Sequence, residues 1–161
     1  KENKKTMNEN ISIRLAEEKD IPLILSLIKE LAEFEKLLDK LTVTEEILKQ
    51  NLFGKKKYAE VLIAEINKSA IGYAIFFHNF STFSGKPGIY LEDLYVKPEF
   101  RNKGIGKKLL NRLIEIAKER DCGRVEWVVL DWNKKAIDFY KNLGAEEMSE
   151  WLVYRLTEDK F

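Results

Sequence analysis

The stretch Leu94-Tyr95-Val96-Lys97-Pro98-Glu99-Phe100-Arg101-Asn102-Lys103-Gly104-Ile105-Gly106-Lys107-Lys108 holds the residues best suited to chemistry in this chain. It reads as a strand, a turn with two glycines and the start of a lysine-rich helix. Amides that converge in such a turn, in line with the positive end of a helix dipole, hold an anion without help from side chains. Gly104 and Gly106 remove the Cβ atoms that would keep a ligand off the backbone. Arg101, Lys103, Lys107 and Lys108 add positive charge, so a pyrophosphate suits the place better than a single carboxylate. Spacing excludes two common phosphate loops. The nucleotide-hydrolase loop needs four residues between its glycines and Ser or Thr after the lysine, whereas one residue separates them here and Lys108 follows Lys107. The dinucleotide fingerprint needs a third glycine where Leu109 stands. On this segment alone, a turn before a surface helix with solvated lysines explains the pattern equally well.

Periodicity supplies the elements that must hold the turn. Ile11 to Ala16 alternates apolar and polar residues and predicts a strand. Asp20 suits a helix N-cap with Pro22 in the first turn, and Ile24, Leu27, Ile28, Leu31 and Phe34 form one apolar stripe. Thr42-Val43-Thr44-Glu45 matches a capping box, predicting a second helix to about Asn51. Tyr58 to Ile66 and Ala70 to Phe77 predict a hairpin turning at Asn67-Lys68-Ser69. Ser81 to Gly88 reads as loop, which puts His78 near a strand end, and Ile89 to Val96 as strand. Ile105, Leu109, Leu110, Leu113, Ile116 and Ala117 mark an amphipathic helix between Gly104 and Arg120. Val125 to Leu130 reads as a buried strand, Asn133 to Leu143 as a helix stopped by Gly144, and Trp151 to Leu156 as a closing strand. The order is mixed α and β, with an early meander and a late strand–helix–strand unit.

Composition bounds the function. A chain of 161 residues suits a single domain, expected over 11–161 after a flexible polar segment at 1–10 in which Met7 is a possible native start. With 28 basic against 27 acidic residues the net charge is +1, which argues against a nucleic-acid binder. One cysteine, Cys122, and one histidine, His78, exclude an internal disulfide and a zinc site built from the two, so no metal is expected. No apolar run approaches the ~20 residues of a membrane span, and the first ten residues lack the apolar core of a signal peptide. A cytoplasmic protein of a reducing compartment, without a membrane partner, is the expectation.

Arg101-Asn102-Lys103-Gly104-Ile105-Gly106 fits the Arg/Gln-x-x-Gly-x-Gly/Ala pattern of the GNAT N-acetyltransferase superfamily. The surrounding chain resembles its spermidine/spermine branch, which includes thialysine and other diamine acetyltransferases. Ile28-Lys29-Glu30-Leu31-Ala32, Tyr90-Leu91-Glu92-Asp93, Trp132-Asn133, Phe139-Tyr140-Lys141 and Gly144-Ala145 carry the rest of the likeness, which covers most of 11–156. It implies an α/β (α+β) fold with a mixed, mostly antiparallel central sheet flanked by helices. Parallel strands splaying apart would form the acetyl-CoA cleft. The resemblance places the cofactor's pyrophosphate on the turn Arg101, Asn102, Lys103, Gly104, Ile105, Gly106 and Lys107. The pantetheine arm would lie beside Leu94, Tyr95 and Val96, with the Leu94 amide aimed at the thioester carbonyl. Asn133, Lys135, Ala136 and Tyr140 would complete the cofactor wall.

The implied reaction is direct acetyl transfer to the primary amine of a small cationic substrate. An alkyl ammonium of pKa ~10 must lose a proton before it attacks. The resemblance makes Glu92 the base, acting through water, and Tyr140 the acid for the departing thiolate. Phe34, Glu35, Glu92, Glu126, Trp127, Val128 and Glu150 fall at or near acceptor-lining positions, and Trp127 can add a cation–π contact of about 0.5–2 kcal/mol. A homodimer is also implied. Without the resemblance, Tyr140 reads as a packing residue and Glu92-Asp93 as a solvated pair on an exposed strand. Leu143 stands where the polyamine enzymes would carry arginine, and the stretch before Trp151 is slightly short. Spermidine, a lysine-like amino acid such as thialysine, another diamine, a protein amine, or a CoA-binding module without turnover therefore stay open.

Overall fold

The computed structural model describes residues 10–161; apart from Asn10, the segment expected to be flexible, with Met7, lies outside them. They group into two compact units, the first ending at Trp127 and the second Val128–Phe161.

The first unit is built on a five-stranded sheet in the order β1-β2-β3-β4-β5. Strands β1 (Ile11–Leu15), β2 (Glu60–Ile66), β3 (Ser69–Ser81) and β4 (Lys86–Val96) pair antiparallel, and β5 (Val125–Glu126) joins β4 in parallel. This is the mixed, mostly antiparallel sheet flanked by helices that the sequence implied. The β2–β3 turn is tighter than expected: Asn67 and Lys68 alone make it, both in the left-handed region that suits a two-residue hairpin. Ladder pairing carries β3 on to Ser81 and starts β4 at Lys86, so His78 lies within a strand and the expected loop shrinks.

Helix α1 (Ile21–Phe34) packs its apolar stripe on one sheet face, where Ile24, Leu27 and Leu31 meet Val61, Ile63, Tyr73, Ile75 and Tyr95. Its start is fixed by charge. Buried Asp20 accepts two hydrogen bonds from Arg14 at 2.7 and 2.9 Å and one from the Glu17 amide, while Arg14 also reaches Glu65 on β2. The next helix is capped by Thr44, whose hydroxyl accepts from the Ile47 amide, rather than by a box begun at Thr42. It comprises α2 (Glu45–Leu48) and a π turn, Lys49–Phe53. Helix α3 (Ile105–Glu119) buries the predicted stripe, and Arg120 at its end stacks over Phe76 on β3. No described helix is long and apolar enough to cross a membrane.

Two strand expectations fail. Strand β5 stops at Glu126 instead of running to Leu130, and Val128, Val129 and Leu130 are exposed rather than buried. The ladder ends at Tyr90, just before an irregularity in β4 that bends the strand. In the second unit, Trp151 to Leu156 forms no strand, because alternation makes a strand only where a neighbour completes its ladder. Helix α4 (Lys134–Asn142) does form there, between an Asn133 cap and Gly144 at φ +86°, a conformation that glycine adopts without strain.

Candidate active site

The pairing of β3 with β4 runs Ile75 to Asp93 and then Phe76 to Leu91, so Glu92 is an extra residue, a β-bulge. The bulge reassigns faces. Leu91 stands opposite Phe76 on the side of Arg120, whereas Asp93 and Tyr95 stand opposite Ile75 and Tyr73 on the side of α1. A regular strand would have put Leu91, Asp93 and Tyr95 on one face. Beyond Tyr90 the paired neighbour of β4 is β3 alone among the described residues, which leaves the other edge of Leu91–Val96 outside any ladder. Main-chain groups on such an edge are the kind that amides of a ligand can pair with. Tyr95 is buried, so a ligand meets its main chain and not its ring.

On the α1 face the bulge collects acid groups. Asp93 accepts a 3.0 Å hydrogen bond from the hydroxyl of fully buried Tyr73. Burial pushes the Asp93 carboxyl up to about 6 against the pull of that hydrogen bond, and the nearby charges of Glu92 and Glu35 push the same way. Burial also raises Tyr73 well above the ordinary phenol range and Glu35 above the usual carboxylate range. Glu35 caps the C-terminal end of α1, where unpaired carbonyls add partial negative charge. Glu92 itself is exposed. The reading of Glu92-Asp93 as a solvated pair is corrected in its second member. Glu126, next to Tyr90's register, already has two partners: Arg124 at 2.7 Å and the Asn79 amide at 3.0 Å. Trp127 is half-buried and Phe34 exposed.

The turn after β4 is held by Arg101. Its Nε donates to the Val96 carbonyl at 2.8 Å, and its guanidinium lies 4.6 Å from the Phe34 ring centre and 5.5 Å from that of Tyr95. This side chain therefore ties the glycine turn to the end of α1 instead of standing ready as a loose cation. Asn102 and Gly104 adopt φ +62° and +77°. Gly104 sits at the N-cap of α3, no side chain caps the helix, and open space lies where a Cβ would stand. The first intrahelical bond is Lys108 to the Gly104 carbonyl, so the amides of Ile105, Gly106 and Lys107 have no partner within the helix. Ile105 is buried and offers only its amide, while Lys103 and Lys107 are exposed cations.

Within the second unit, the Asn133 side chain accepts from the Ala136 amide at 3.3 Å. Lys135 is exposed in the first turn of α4, and Val128 and Glu150 are exposed too. Tyr140 packs on Phe139 with ring centres 5.3 Å apart, and burial pushes its phenol up to about 12. The phenol is therefore protonated at neutral pH, the state an acid must occupy. Sequence reasoning missed Asp93, Tyr73 and Glu30, the last of which accepts from the Tyr95 hydroxyl at 3.3 Å. The one sequence hint was a second acid beside Glu92 in an otherwise apolar strand.

A fold of this kind, with a bulged central strand leading into an uncapped glycine turn, defines an acyl-CoA-binding transferase class. The family model of the acetyltransferase (GNAT) family matches residues 25–145, and the chain belongs to that family. It is an acetyl-CoA-dependent N-acetyltransferase. Thialysine N-epsilon-acetyltransferase of Bos taurus is 42% identical over 156 residues, covering 90% of this chain and 91% of that protein. L-ornithine N5-acetyltransferase NATA1 of Arabidopsis thaliana is 32% identical over 192 residues, covering 91% of this chain and 84% of that protein. Among solved structures, the integron cassette protein VCH_CASS6 from the mobile metagenome of V. cholerae superposes with a TM-score of 0.78 at 25% identity, over 93% of this chain and 94% of that one.

Proposed function

We propose that the chain acetylates a primary amine at the end of a short chain bearing a second amine, a class spanning small polyamines, diamines and diamino acids. The observation that carries this reading is the grouping of Glu92, Asp93 and Glu35 where the bulge of β4 meets the C-terminal end of α1. Such a place attracts a cation, and relatives named for thialysine and ornithine act on amines of this shape. A peptide lysine lacks the second amine. Phe34, at the rim, can pack against the methylene chain.

Acetyl-CoA fits the residues present. The uncapped amides of Ile105–Lys107, the open space at Gly104 and the cations Lys103, Lys107 and Lys108 suit a pyrophosphate, with Arg101 and Asn102 shaping the turn. The free edge at Leu94–Val96 suits the amides of a pantetheine arm, and the Leu94 amide is the candidate oxyanion donor. The cosubstrate supplies the acyl group as an activated thioester. The resemblance assigns Asn133, Lys135 and Ala136 to the cosubstrate and Tyr140 to the acid role. Trp127, Val128, Glu126 and Glu150 are the remaining acceptor candidates, with Glu126 shielded by Arg124. The fold is taken to act as a cytoplasmic homodimer, to which exposed Phe80 and Phe83 at the β3–β4 hairpin can lend apolar surface.

The test is a panel of spermidine, propane diamine, thialysine, ornithine and a lysine peptide with acetyl-CoA, read as thiol release. Turnover of one or more free diamines or diamino acids, with the peptide inert, is expected. Turnover of the peptide alone, or of nothing, overturns the reading.

A further inference from the structure

We propose that Asp93, its carboxyl held by the Tyr73 hydroxyl on the α1 face of the sheet, accepts the proton that the acceptor ammonium must lose, while Glu92 mainly draws the cation in. This rests on the amine acetylation proposed above. Three observations carry it. First, the bulge at Glu92 turns Asp93 toward α1, to the side where Glu35 closes the helix; without the bulge Asp93 would share the face of Leu91. Second, one oxygen of Asp93 is fixed by Tyr73 at 3.0 Å, and the residue is only half-buried, with part of its surface open to water. Third, no lysine or arginine among the described residues pairs with Asp93.

The groups on this face are Tyr73 from β3, Glu92 and Tyr95 from β4, Glu35 just past the end of α1, and Glu30 of α1 on the Tyr95 hydroxyl, with Arg101 beyond Tyr95 and Lys97 paired to Glu30 at 3.4 Å. Tyr73 favours the carboxylate, whereas Glu92 and Glu35 favour the neutral acid. Burial, with the two glutamates on its side, outweighs Tyr73 and carries the group up to about 6, close to the working pH where a general base is most effective. Glu92, exposed to water, keeps its solvation shell and serves as a charge.

The proton balance closes. The ammonium gives one proton through water to the Asp93 carboxylate, leaving a neutral amine and a neutral carboxyl. The new N–C bond forms as the C–S bond breaks, the nitrogen's second proton ends on the thiolate sulfur, and Asp93 returns its proton to solvent. The sum is ammonium plus thioester giving amide, thiol and one free proton.

The test compares pH profiles of kcat/KM for the best amine in the wild-type protein, Asp93→Asn, Tyr73→Phe and Glu92→Gln. Acetyl-CoA affinity by calorimetry and circular dichroism are the controls. The wild type should lose activity below about pH 6. Asp93→Asn should lower kcat/KM by about 10²-fold or more and abolish that limb, with cofactor affinity kept. Tyr73→Phe removes the hydrogen bond that holds the carboxyl down, so its limb should move to higher pH by about half a unit or more. Glu92→Gln should raise the acceptor KM and keep the limb, moved slightly to lower pH because the Glu92 charge helps hold the Asp93 carboxyl up. An Asp93→Asn profile that keeps the limb overturns the proposal, as does a limb that disappears in Glu92→Gln. If Asp93→Asn does not fold, the Tyr73→Phe limb decides, and an unmoved limb overturns the proposal. A wild type inactive on every amine removes the parent reading; an active wild type with an unaltered Asp93→Asn profile removes this one alone.

Discussion

Asp93 sits where it is costly to ionise, and that cost has a sign. Its carboxyl is raised from 3.8 to about 6 in the folded protein, so between those pH values the folded state holds a proton that the unfolded chain has released. The stability linked to the group is present in full below pH 3.8 and is lost as pH rises through about 6. At pH 8 the native protein carries the penalty of a buried charge, roughly 2–3 kcal/mol for a shift of this size. Asparagine keeps an oxygen for Tyr73 to donate to and removes the charge. Asp93→Asn should therefore be slower yet more stable, by roughly 1–3 kcal/mol at pH 8, with the gain fading toward pH 4. Denaturant midpoints at the two pH values check this, and a variant less stable at pH 8 would sink it. Tyr140 is raised by burial in the same direction: with its phenol at about 12, it stays protonated through the working range. Tyr140→Phe should lower kcat far more than acetyl-CoA affinity, measured by steady-state kinetics beside calorimetry.

At the scale of elements, Arg101 joins β4, the glycine turn and α1 through Val96, Phe34 and Tyr95. Arg101→Ala should raise the KM for acetyl-CoA and for the amine together, because one side chain shapes both rims; a change confined to acetyl-CoA would reduce it to a phosphate contact. Gly104→Val should abolish cofactor binding by filling the open space over the helix N-terminus. It also forces a branched residue into φ +77°, at a cost of about 1–2 kcal/mol, so circular dichroism must accompany the calorimetry. Much of this scaffold was legible in the sequence. The stripe of α3, the cap at Asn133 and the stop at Gly144 are local patterns, and local patterns survive folding; Asp20 stands at the N-cap position of α1 but gives its carboxylate to Arg14 and the Glu17 amide instead of capping the helix. The bulge was not legible: Ile89, Leu91, Asp93 and Tyr95 keep perfect alternation in the sequence, and only the register against β3 reveals that the strand changes face between the second and third. The ends of β5 and the 151–156 segment failed for a related reason, since a strand is decided by its neighbour and not by its own residues.

The molecule as a whole carries a net charge of only +1, yet charge is sorted within the first unit. Lys103, Lys107 and Lys108 gather at the start of α3, while Glu92, Asp93 and Glu35 gather where the bulge meets the end of α1. Steering and binding follow these local fields, because charges separated by more than a Debye length of about 10 Å at 0.1 M salt barely feel one another. A protein judged by its net charge would show almost no salt dependence. This one should show two at once: from low salt to about 0.5 M, the KM for the anionic cosubstrate and the KM for the cationic amine should both rise several-fold, with kcat little changed. Lys107→Gln should flatten the salt response for acetyl-CoA and leave that of the amine intact; Glu35→Gln should do the reverse. Equal flattening of both responses by either variant would mean that the two fields are not separate, and the division of labour between the uncapped helix and the bulged strand would have to be abandoned.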